Sequence, residues 1–474
     1  MVPIDLHRNM GAFMSESDKL ITTLDDAPLS LFHLKAVLTA GAGFFTDAYD
    51  LFIIGAALVL LKGEWHLSKE MIGLIGSTSL IAAFLGAFIF GRISDAIGRK
   101  KVYVLVASII AVGALLCAFS PNILWLMVFR FIMGLGIGGD YPVSAVLTSE
   151  YSNTKDRGKL IGLVFSMQAL GLITGPIVAM TLLASGIHQE WAWRIMLGLG
   201  ALPAGFVVYA RSRMPESPRY QVLMQDKSSD ADLPYDTNAP VQEQRPVPLL
   251  KRRIYFTPRI VLTLIGTAGT WFLFDYAYYG NTISTPLIMK MIAPHASPVT
   301  AEAWSLIIFV IAALPGYILA FSTIDKIGHK KLQWIGFLCM GLAFLVMGIF
   351  PALTTMVIPF LILYGISYFF AEFGPNTTTF IMPAELFPVS MRTTGHGVSA
   401  GFAKLGAFIG ASTFPILSGT YGLSGALVVS AVVSFLGLLL TMVLPEPSGR
   451  SIDQISEHEA MPSVRRSMNP ERMS

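Results

Sequence analysis

Long apolar stretches recur along the whole chain, and they constrain its fold more than any other feature. A helix needs about 20 apolar residues to cross the hydrocarbon core of a bilayer. With 54% hydrophobic and only 13% charged residues among 474, the chain is too apolar for a water-soluble domain. We predict an all-α membrane protein with twelve transmembrane helices, spans 1 to 12, at residues 34–61, 70–91, 102–120, 123–149, 158–185, 192–212, 258–289, 303–323, 332–350, 353–382, 393–418 and 422–444.

A long polar interruption divides the spans into two groups of six. Residues 213–257 contain Pro, Asp, Gln and Ser but few large apolar residues, which is typical of a flexible linker. Residues 1–30 have no apolar core, so we expect no cleavable signal peptide. The predicted organisation is a cytoplasmic N-terminal segment at 1–30, a six-helix bundle at 31–212, the linker at 213–257, a second six-helix bundle at 258–444 and a cytoplasmic tail at 445–474.

Basic loops predict the orientation of the spans. Loops rich in Lys and Arg stay on the cytoplasmic side of a membrane. We therefore expect both termini to be cytoplasmic, in a plasma membrane or a bacterial inner membrane. The basic residues are Arg92, Arg99, Lys100 and Lys101 after span 2, Lys155, Arg157 and Lys159 after span 4, Lys326, Lys330 and Lys331 after span 8, and Arg211, Arg213, Arg219, Lys251, Arg252 and Arg253 around the linker.

Paired motifs recur in the same order in the two groups of spans. A near-constant offset between matching residues indicates a parallel duplication, with the repeat axis along the membrane normal. The matches are Asp95 with Asp325, Glu216 with Glu446, and Glu150 and Arg157 with Glu385 and Arg392, at offsets of 230, 230 and 235 residues.

The loop after span 2 carries the fuller copy of one repeated motif, from Gly91 to Lys101. Its Gly91 permits close helix approach, and Asp95 and Arg99 are spaced i,i+4 for ion pairing. The second copy has Phe321 and His329 at the Gly and Arg positions. The duplication and this motif resemble the major facilitator superfamily over nearly the whole chain, which implies two six-helix halves.

Ionisable side chains within the spans are candidate functional groups, because a charge in hydrocarbon is costly. Two of them lie i,i+3 apart in span 1, where close carboxylates in a low dielectric favour protonation of at least one. That behaviour suits a proton carrier, although a structural pair hydrogen-bonded to the backbone or to Arg130 is an alternative. The candidates are Asp47, Asp50, Arg130, Asp140, Asp275, Glu372 and Lys404.

Spans 4 and 7 contain the most specific patterns. In span 4, Asp140 and Tyr141 lie between paired glycines and Pro142, and interrupted helices of this kind line substrate cavities. In span 7, Trp271, Asp275 and Tyr279 are spaced i, i+4, i+8 and form one stripe. An interfacial aromatic belt is the alternative for the two aromatic residues.

Three further spans carry polar groups. Span 10 is broken at residues 374–379 and rich in hydrogen-bonding side chains. Gln168 in span 5 is by itself as consistent with a contact between helices as with a functional role. Lys404 in span 11 needs an anion, either a protein carboxylate or a substrate.

Four strings together resemble the proton-coupled inorganic phosphate transporters of fungi and plants: residues 44–50, 138–142, 271–279 and 373–379. The resemblance implies phosphate import by proton symport and alternating access. It implies substrate contacts from Tyr141, Gln168, Trp271, Asp275, Tyr279, Asn376 and Lys404, and proton handling by Asp47, Asp50, Asp140 and Asp275. The linker is shorter than in those families, and no role carries over to Glu372. We expect gating or structural roles for Asp95, Arg99, Arg130, Glu150, Arg157, Glu385 and Arg392.

The side-chain chemistry agrees with dihydrogen phosphate as the substrate. The donors for the phosphate oxygens are Lys404, the hydroxyls of Tyr141 and Tyr279, the indole N–H of Trp271 and the amides of Gln168 and Asn376. Asp275 can accept a hydrogen bond from the phosphate hydroxyl. Sulfate lacks that proton and would leave two anions facing each other. With Lys404 as the single cation, binding an anion beside Asp275 favours proton uptake.

Other functions remain open from the sequence. The same fold could carry a glycerophosphodiester, an organic anion or a sugar, or could sense phosphate without transporting it. No nucleophile–base pair is visible, so an enzyme is disfavoured, and we expect no cofactor and no metal. The expected partners are inorganic phosphate, protons and the lipid bilayer, and the net charge of +3 is too small to suggest nucleic acid.

Overall fold

The computed structural model describes residues 24–67, 69–225, 257–295, 298–389 and 391–448. Within these ranges every regular element is a helix, and eleven helices are long and apolar enough to cross a membrane. The last of them, Arg392–Thr441, has 50 residues, more than twice the length that a bilayer requires. It breaks at Gly422, whose φ of 72° a glycine adopts readily. Spans 11 and 12 lie on either side of this break, so the prediction of twelve spans in an all-α membrane protein is confirmed.

The helix bounds follow the predicted spans closely. Spans 1 to 6 are Leu31–Glu64, Lys69–Ile97, Arg99–Ala118, Ile123–Tyr151, Arg157–Ser166 continued by Gln168–Ala184, and Gln189–Leu199 continued by Ala201–Ser212. Spans 7 to 10 are Pro258–Ile283; Pro298–Ile308 with the π-helical turn Phe309–Ala313 and Leu314–Ile327; His329–Ile349; and Val357–Ala371 with the π-helical turn Glu372–Asn376 and Thr377–Leu386. Outside the spans lie two short helices, Pro218–Gln225 and Thr285–Ile292, and the 3₁₀ turn Pro351–Thr355.

The start of the predicted linker differs from the expectation of a flexible segment. The helix Pro218–Gln225 begins there, and the Arg219 side chain is fully buried. Its guanidinium donates to Asp25 at 2.6 Å and to the Glu150 carbonyl at 3.3 Å. Arg219, which the sequence suggests as a loop charge, therefore anchors the start of the linker to span 4. Residues 226–256 lie outside the described ranges, and the division into two bundles and a linker stays a prediction.

The matching glutamates of the repeat occupy equivalent positions. Glu216 accepts hydrogen bonds from the first backbone N–H groups of span 3, and Glu446 does the same at 3.0 and 2.9 Å for span 9. Each helix follows a glycine with positive φ, Gly98 at 104° and Gly328 at 100°. A carboxylate at a helix N-terminus satisfies orphan N–H groups and complements the helix dipole.

Replacing Glu446 by Ala is expected to reduce the free energy of unfolding by about 1 kcal/mol, because two N–H groups lose their acceptor. Burial opposes ionisation of Glu446, but hydrogen bonds from His329 and Ser448 outweigh it and lower its pKa to about 2. Since the folded-state pKa lies below the ordinary value, this stabilisation is complete at neutral pH and disappears only as the pH falls toward 2. Thermal unfolding in detergent at pH 7 measures the loss. Glu190→Ala, which removes a partly exposed carboxylate, is the control, and an equal melting temperature for Glu446→Ala and the wild type would contradict this account.

The end of the bundle that carries Lys100, Lys159 and Lys330, the basic end, joins the first six spans to the last six. Asp95 accepts from the backbone N–H groups of Thr393 and Thr394, at 3.2 and 2.6 Å. Asp325 accepts from those of Gly158 and Lys159, at 3.1 and 2.7 Å. Each repeated aspartate therefore holds the start of a helix from the opposite group of spans.

The repeated Glu and Arg residues pair across the same boundary. Arg392 contacts Glu150 at 3.4 Å, and Arg157 contacts Glu385 at 2.8 Å. The sequence match placed each glutamate with the arginine that follows it, whereas the structure exchanges the partners. Arg99 adds contacts of 3.2 Å to both Asp95 and Glu150. These charged contacts close the basic end.

Close helix approach beneath this end depends on small residues, as expected for membrane helices. A Cβ atom on Gly91 would lie 2.8 Å from the carbonyl oxygen of Thr393, too close for any side chain. Spans 2 and 11 therefore touch backbone to backbone at this point, which gives the predicted role of Gly91 a specific neighbour.

Candidate functional site

A buried ion pair lies at the centre of the bundle. The Lys404 ammonium of span 11 lies 3.1 Å from the Asp275 carboxylate of span 7 and 3.1 Å from the Tyr279 hydroxyl. Both charged side chains are at most 2% exposed. The sequence predicted that Lys404 needs an anion, and in this structure a protein carboxylate supplies it.

Aromatic rings enclose this pair from both groups of spans. The Lys404 Nζ atom lies 4.4 Å from the ring centroid of Tyr141 and 4.6 Å from that of Tyr279. Tyr141 comes from span 4, and its ring centroid is 6.2 Å from that of Trp271 in span 7. A cation over an aromatic face is stabilised by the ring quadrupole, more so away from water. The predicted stripe Trp271, Asp275 and Tyr279 thus faces the interior, not a membrane interface.

The two amide residues of the predicted site meet at a third side chain. Gln168 of span 5 and Asn376 of span 10 both donate to the hydroxyl of Tyr317 in span 8, Asn376 at 2.7 Å. The ring centroid of Phe165 lies 6.3 Å from that of Tyr317 and 6.3 Å from that of Tyr141, so this amide cluster adjoins the ion pair. Because Gln168 belongs to the first group of spans, its bond to Tyr317 also crosses the boundary between the groups.

Glu372 lies beside the amide cluster in the π-helical turn of span 10. It is fully buried and accepts a hydrogen bond from the Asn376 amide. The hydroxyls of Tyr317 and Tyr278 interact with the same carboxyl group. π-Helical turns are concentrated at functional sites because they shift the register of side chains within a helix. The structure therefore places Glu372 next to the predicted substrate residues.

Asp140 has a partner that the sequence did not indicate. The guanidinium of Arg211, at the end of span 6, binds both Asp140 oxygens, with an Nη2–Oδ2 distance of 2.8 Å, and the Asp140 Oδ1 atom accepts from Ser144 at 2.9 Å. Arg211 also stacks over the Tyr103 ring at 3.9 Å. Both charged side chains are fully buried. Arg211 is therefore a buried cation and not a loop charge, which corrects the expectation from the sequence.

Asp47 and Asp50 face different surroundings despite their i,i+3 spacing. Neither carboxylate oxygen of Asp47 has a hydrogen-bonding partner among the described residues, and its strongest charged neighbours are Asp140 and Arg211. Asp50 lies in the field of Arg130. Both aspartates are at most 2% exposed, as expected for side chains that turn toward the bundle interior.

Arg130 lies deep in the first group of spans, away from the charged contacts of the basic end. Its Nε atom donates to the Ile75 carbonyl at 3.1 Å, while Nη1 and Nη2 have no hydrogen-bonding partner in the described part of the chain. The other predicted gating residues, Asp95, Arg99, Glu150, Arg157, Glu385 and Arg392, all take part in those contacts.

All seven predicted substrate residues lie in or against these two adjoining clusters, each at most 9% exposed. Sequence reasoning missed Tyr317, Tyr278 and Arg211. Tyr317 had a usable signal, since its hydroxyl is the only polar side-chain group in the apolar stretch 306–321. Arg211 had none, because an arginine at a helix end is ordinarily solvated.

Comparison with known proteins agrees with this architecture. A family model described as "Sugar (and other) transporter" matches residues 35–458. Probable inorganic phosphate transporter 1-6 of Arabidopsis thaliana is 34% identical, covering 93% of this chain and 96% of that protein. Low affinity inorganic phosphate transporter 1 of Petunia hybrida is also 34% identical, covering 94% of this chain and 96% of that protein.

Solved structures show the same fold. The proton:xylose symporter XylE of E. coli superposes with a TM-score of 0.78 at 18% identity, covering 91% of this chain and 99% of that one. The human organic anion transporter MFSD10 gives 0.65 at 15% identity, covering 86% and 99%. The resemblance read from the motifs is thereby confirmed. This chain belongs to the sugar (and other) transporter family of the major facilitator superfamily, alongside the inorganic phosphate transporters of plants.

Proposed function

We propose that this protein imports inorganic phosphate by proton symport. The observation that carries the proposal is the buried Lys404–Asp275 pair, which faces Tyr141 across the boundary between the two groups of spans. A cation that is held by a carboxylate attracts an anion only when the carboxylate is neutralised. Protonation of Asp275 would release Lys404 for phosphate, so anion binding and proton binding depend on each other.

The donors around the pair suit a small tetrahedral oxyanion. Lys404, Tyr279, Tyr141 and Trp271 supply N–H and O–H groups on one side, and the amides of Gln168 and Asn376 supply them on the other. Dihydrogen phosphate can also donate to a carboxylate, which sulfate cannot. The inorganic phosphate transporters among the curated relatives support the same substrate.

Proton handling extends into the first group of spans. Asp47 is buried without a hydrogen-bonding partner in the described ranges and lies in the field of the Asp140–Arg211 pair. An isolated buried carboxylate is costly, whereas a neutral carboxyl is tolerated. We assign Asp47, Asp50 and Asp140 to the path of the proton and Asp275 to its coupling with phosphate.

Alternating access completes the proposal. The substrate residues are closed off from solvent, and the charged contacts of the basic end join the two groups of spans. Release requires those contacts to separate while the two halves rock around the central site. By the distribution of Lys and Arg, the basic end and both termini are cytoplasmic, in a plasma or bacterial inner membrane.

The test is uptake of labelled phosphate into proteoliposomes under an imposed pH gradient. We expect accumulation that collapses when a protonophore dissipates the gradient, and competition by unlabelled phosphate but not by sulfate or glucose. Competition by glucose alone would assign a sugar, and competition by glycerophosphodiesters or organic anions would assign those substrates instead. High-affinity binding without any uptake would indicate a sensor.

A further inference from the structure

Glu372 is a buried carboxyl group that the transport mechanism above does not use. Among the described residues no cation forms an ion pair with it, and its Oε1 atom has no hydrogen-bonding partner. The groups that face it are Tyr278 and Asp275 from span 7, Tyr317 from span 8, and Asn376 and Tyr368 from its own span. A buried carboxylate with no cation depends on hydrogen-bond donors for its stability.

In this closed state the Glu372 carboxyl group accepts hydrogen bonds from its neighbours. The Tyr317 oxygen already accepts N–H bonds from Gln168 and Asn376, so its own hydrogen remains to be donated, and the Glu372 carboxyl group is in reach. The Asn376 amide donates to Glu372 as well. These donors offset part of the cost that burial imposes on the ionised form of the carboxyl group.

Phosphate competes for the same donors. The amides of Gln168 and Asn376 are the groups assigned to phosphate under the proposed function, and in this structure they are engaged by Tyr317 and Glu372. When they turn to phosphate, Glu372 loses hydrogen bonds while negative charge arrives beside it. Both changes favour protonation of the carboxylate.

We propose that Glu372 is a second coupling carboxyl, which binds a transported proton when phosphate draws Asn376 away from it. This inference rests on the proposed function and extends it from one coupling group, Asp275, to two. The Glu372 carboxylate takes up one proton from the side of phosphate entry when phosphate binds, and it releases that proton with phosphate on the opposite side. The number of protons carried per phosphate is therefore higher by one than Asp275 alone would give.

The test compares proton coupling in the full-length wild type and in Glu372→Gln, reconstituted in proteoliposomes with the membrane potential clamped. Each coupled proton contributes about tenfold to the limiting phosphate accumulation ratio per unit of pH gradient. We expect Glu372→Gln to lower that ratio by about tenfold per pH unit while phosphate counterflow, which needs no net proton movement, continues. Glu190→Gln, the same change at a partly exposed position in span 6, should leave the ratio unchanged.

The outcomes separate the two proposals. A wild type that does not accumulate phosphate under a pH gradient would overturn the proposed function. A wild type that does, with an equal ratio in Glu372→Gln, would overturn only the role of Glu372.

A second variant covers the case in which Glu372→Gln lacks counterflow. Tyr317→Phe keeps the carboxyl group and removes the hydroxyl that donates to it, so Glu372 should protonate at higher pH. The pH profile of phosphate uptake by Tyr317→Phe should then shift to the alkaline side. An unshifted profile would overturn the proposal.

Discussion

Replacing Asp275 by Asn is expected to abolish phosphate accumulation driven by a pH gradient. The wild-type carboxylate lies 3.1 Å from Lys404 and can exchange that contact for a proton. Asparagine keeps the shape but carries no ionisable proton, so Lys404 stays available to the anion at every stage of the cycle. Phosphate should then equilibrate across the membrane without being concentrated, an accumulation ratio near one in place of about tenfold or more per pH unit. Labelled uptake in proteoliposomes measures the ratio.

Counterflow of phosphate distinguishes lost coupling from lost structure in this variant. We expect Asp275→Asn to retain exchange of internal for external phosphate, since exchange requires binding and rocking but no net proton transfer. Asp26→Asn removes an exposed carboxylate and serves as the matched control. Concentrative uptake by Asp275→Asn at the wild-type level would remove Asp275 from the coupling step.

Replacing Arg211 by Gln is expected to destabilise the protein by about 3–5 kcal/mol, because it leaves the fully buried Asp140 without its cation. The neutral amide also gives up the stacking of the guanidinium on Tyr103. We expect a large drop in melting temperature and in the yield of monodisperse protein in detergent. The exposed Arg213, two residues further along, provides the control, and Arg213→Gln should change stability by less than about 0.5 kcal/mol.

The double variant Arg211→Gln with Asp140→Asn tests the physical reason. If the cost arises from an unpaired buried charge, removing the second charge should restore most of the lost stability, since a neutral amide pair can hydrogen-bond in the same space. Equal instability of the single and double variants would show that lost packing, not lost charge pairing, dominates.

Much of the fold could be predicted from the sequence because it depends on local patterns. Hydropathy located the twelve spans, and a near-constant offset identified the repeated motifs. The offset also matched Glu216 with Glu446, which bind equivalent helix starts. The i,i+4 spacing of Asp275 and Tyr279 correctly placed both on one face, where Lys404 contacts them.

The remaining contacts depend on tertiary structure that no local pattern encodes. Hydropathy cannot tell whether an arginine at a helix end points outward or inward, so Arg211 was placed with the loop charges. The repeat matched Glu150 and Glu385 each with the arginine that follows it in the chain, whereas packing of the two groups of spans against each other exchanges these partners. The π-helical turn at Glu372 has no periodic signature, and it aligns this carboxyl group with the amide cluster.

The exchanged aspartate contacts at the basic end have a mechanical consequence. Asp95 binds the start of span 11, and Asp325 binds the start of span 5. Each group of spans therefore supplies one aspartate and one helix start to the contacts at this end. A motion that separated only one of these contacts would leave the other intact, and the basic end would stay closed. Under the proposed alternating access, release of substrate at the basic end therefore requires both sets of contacts to break, because either set alone would still hold the two groups of spans together.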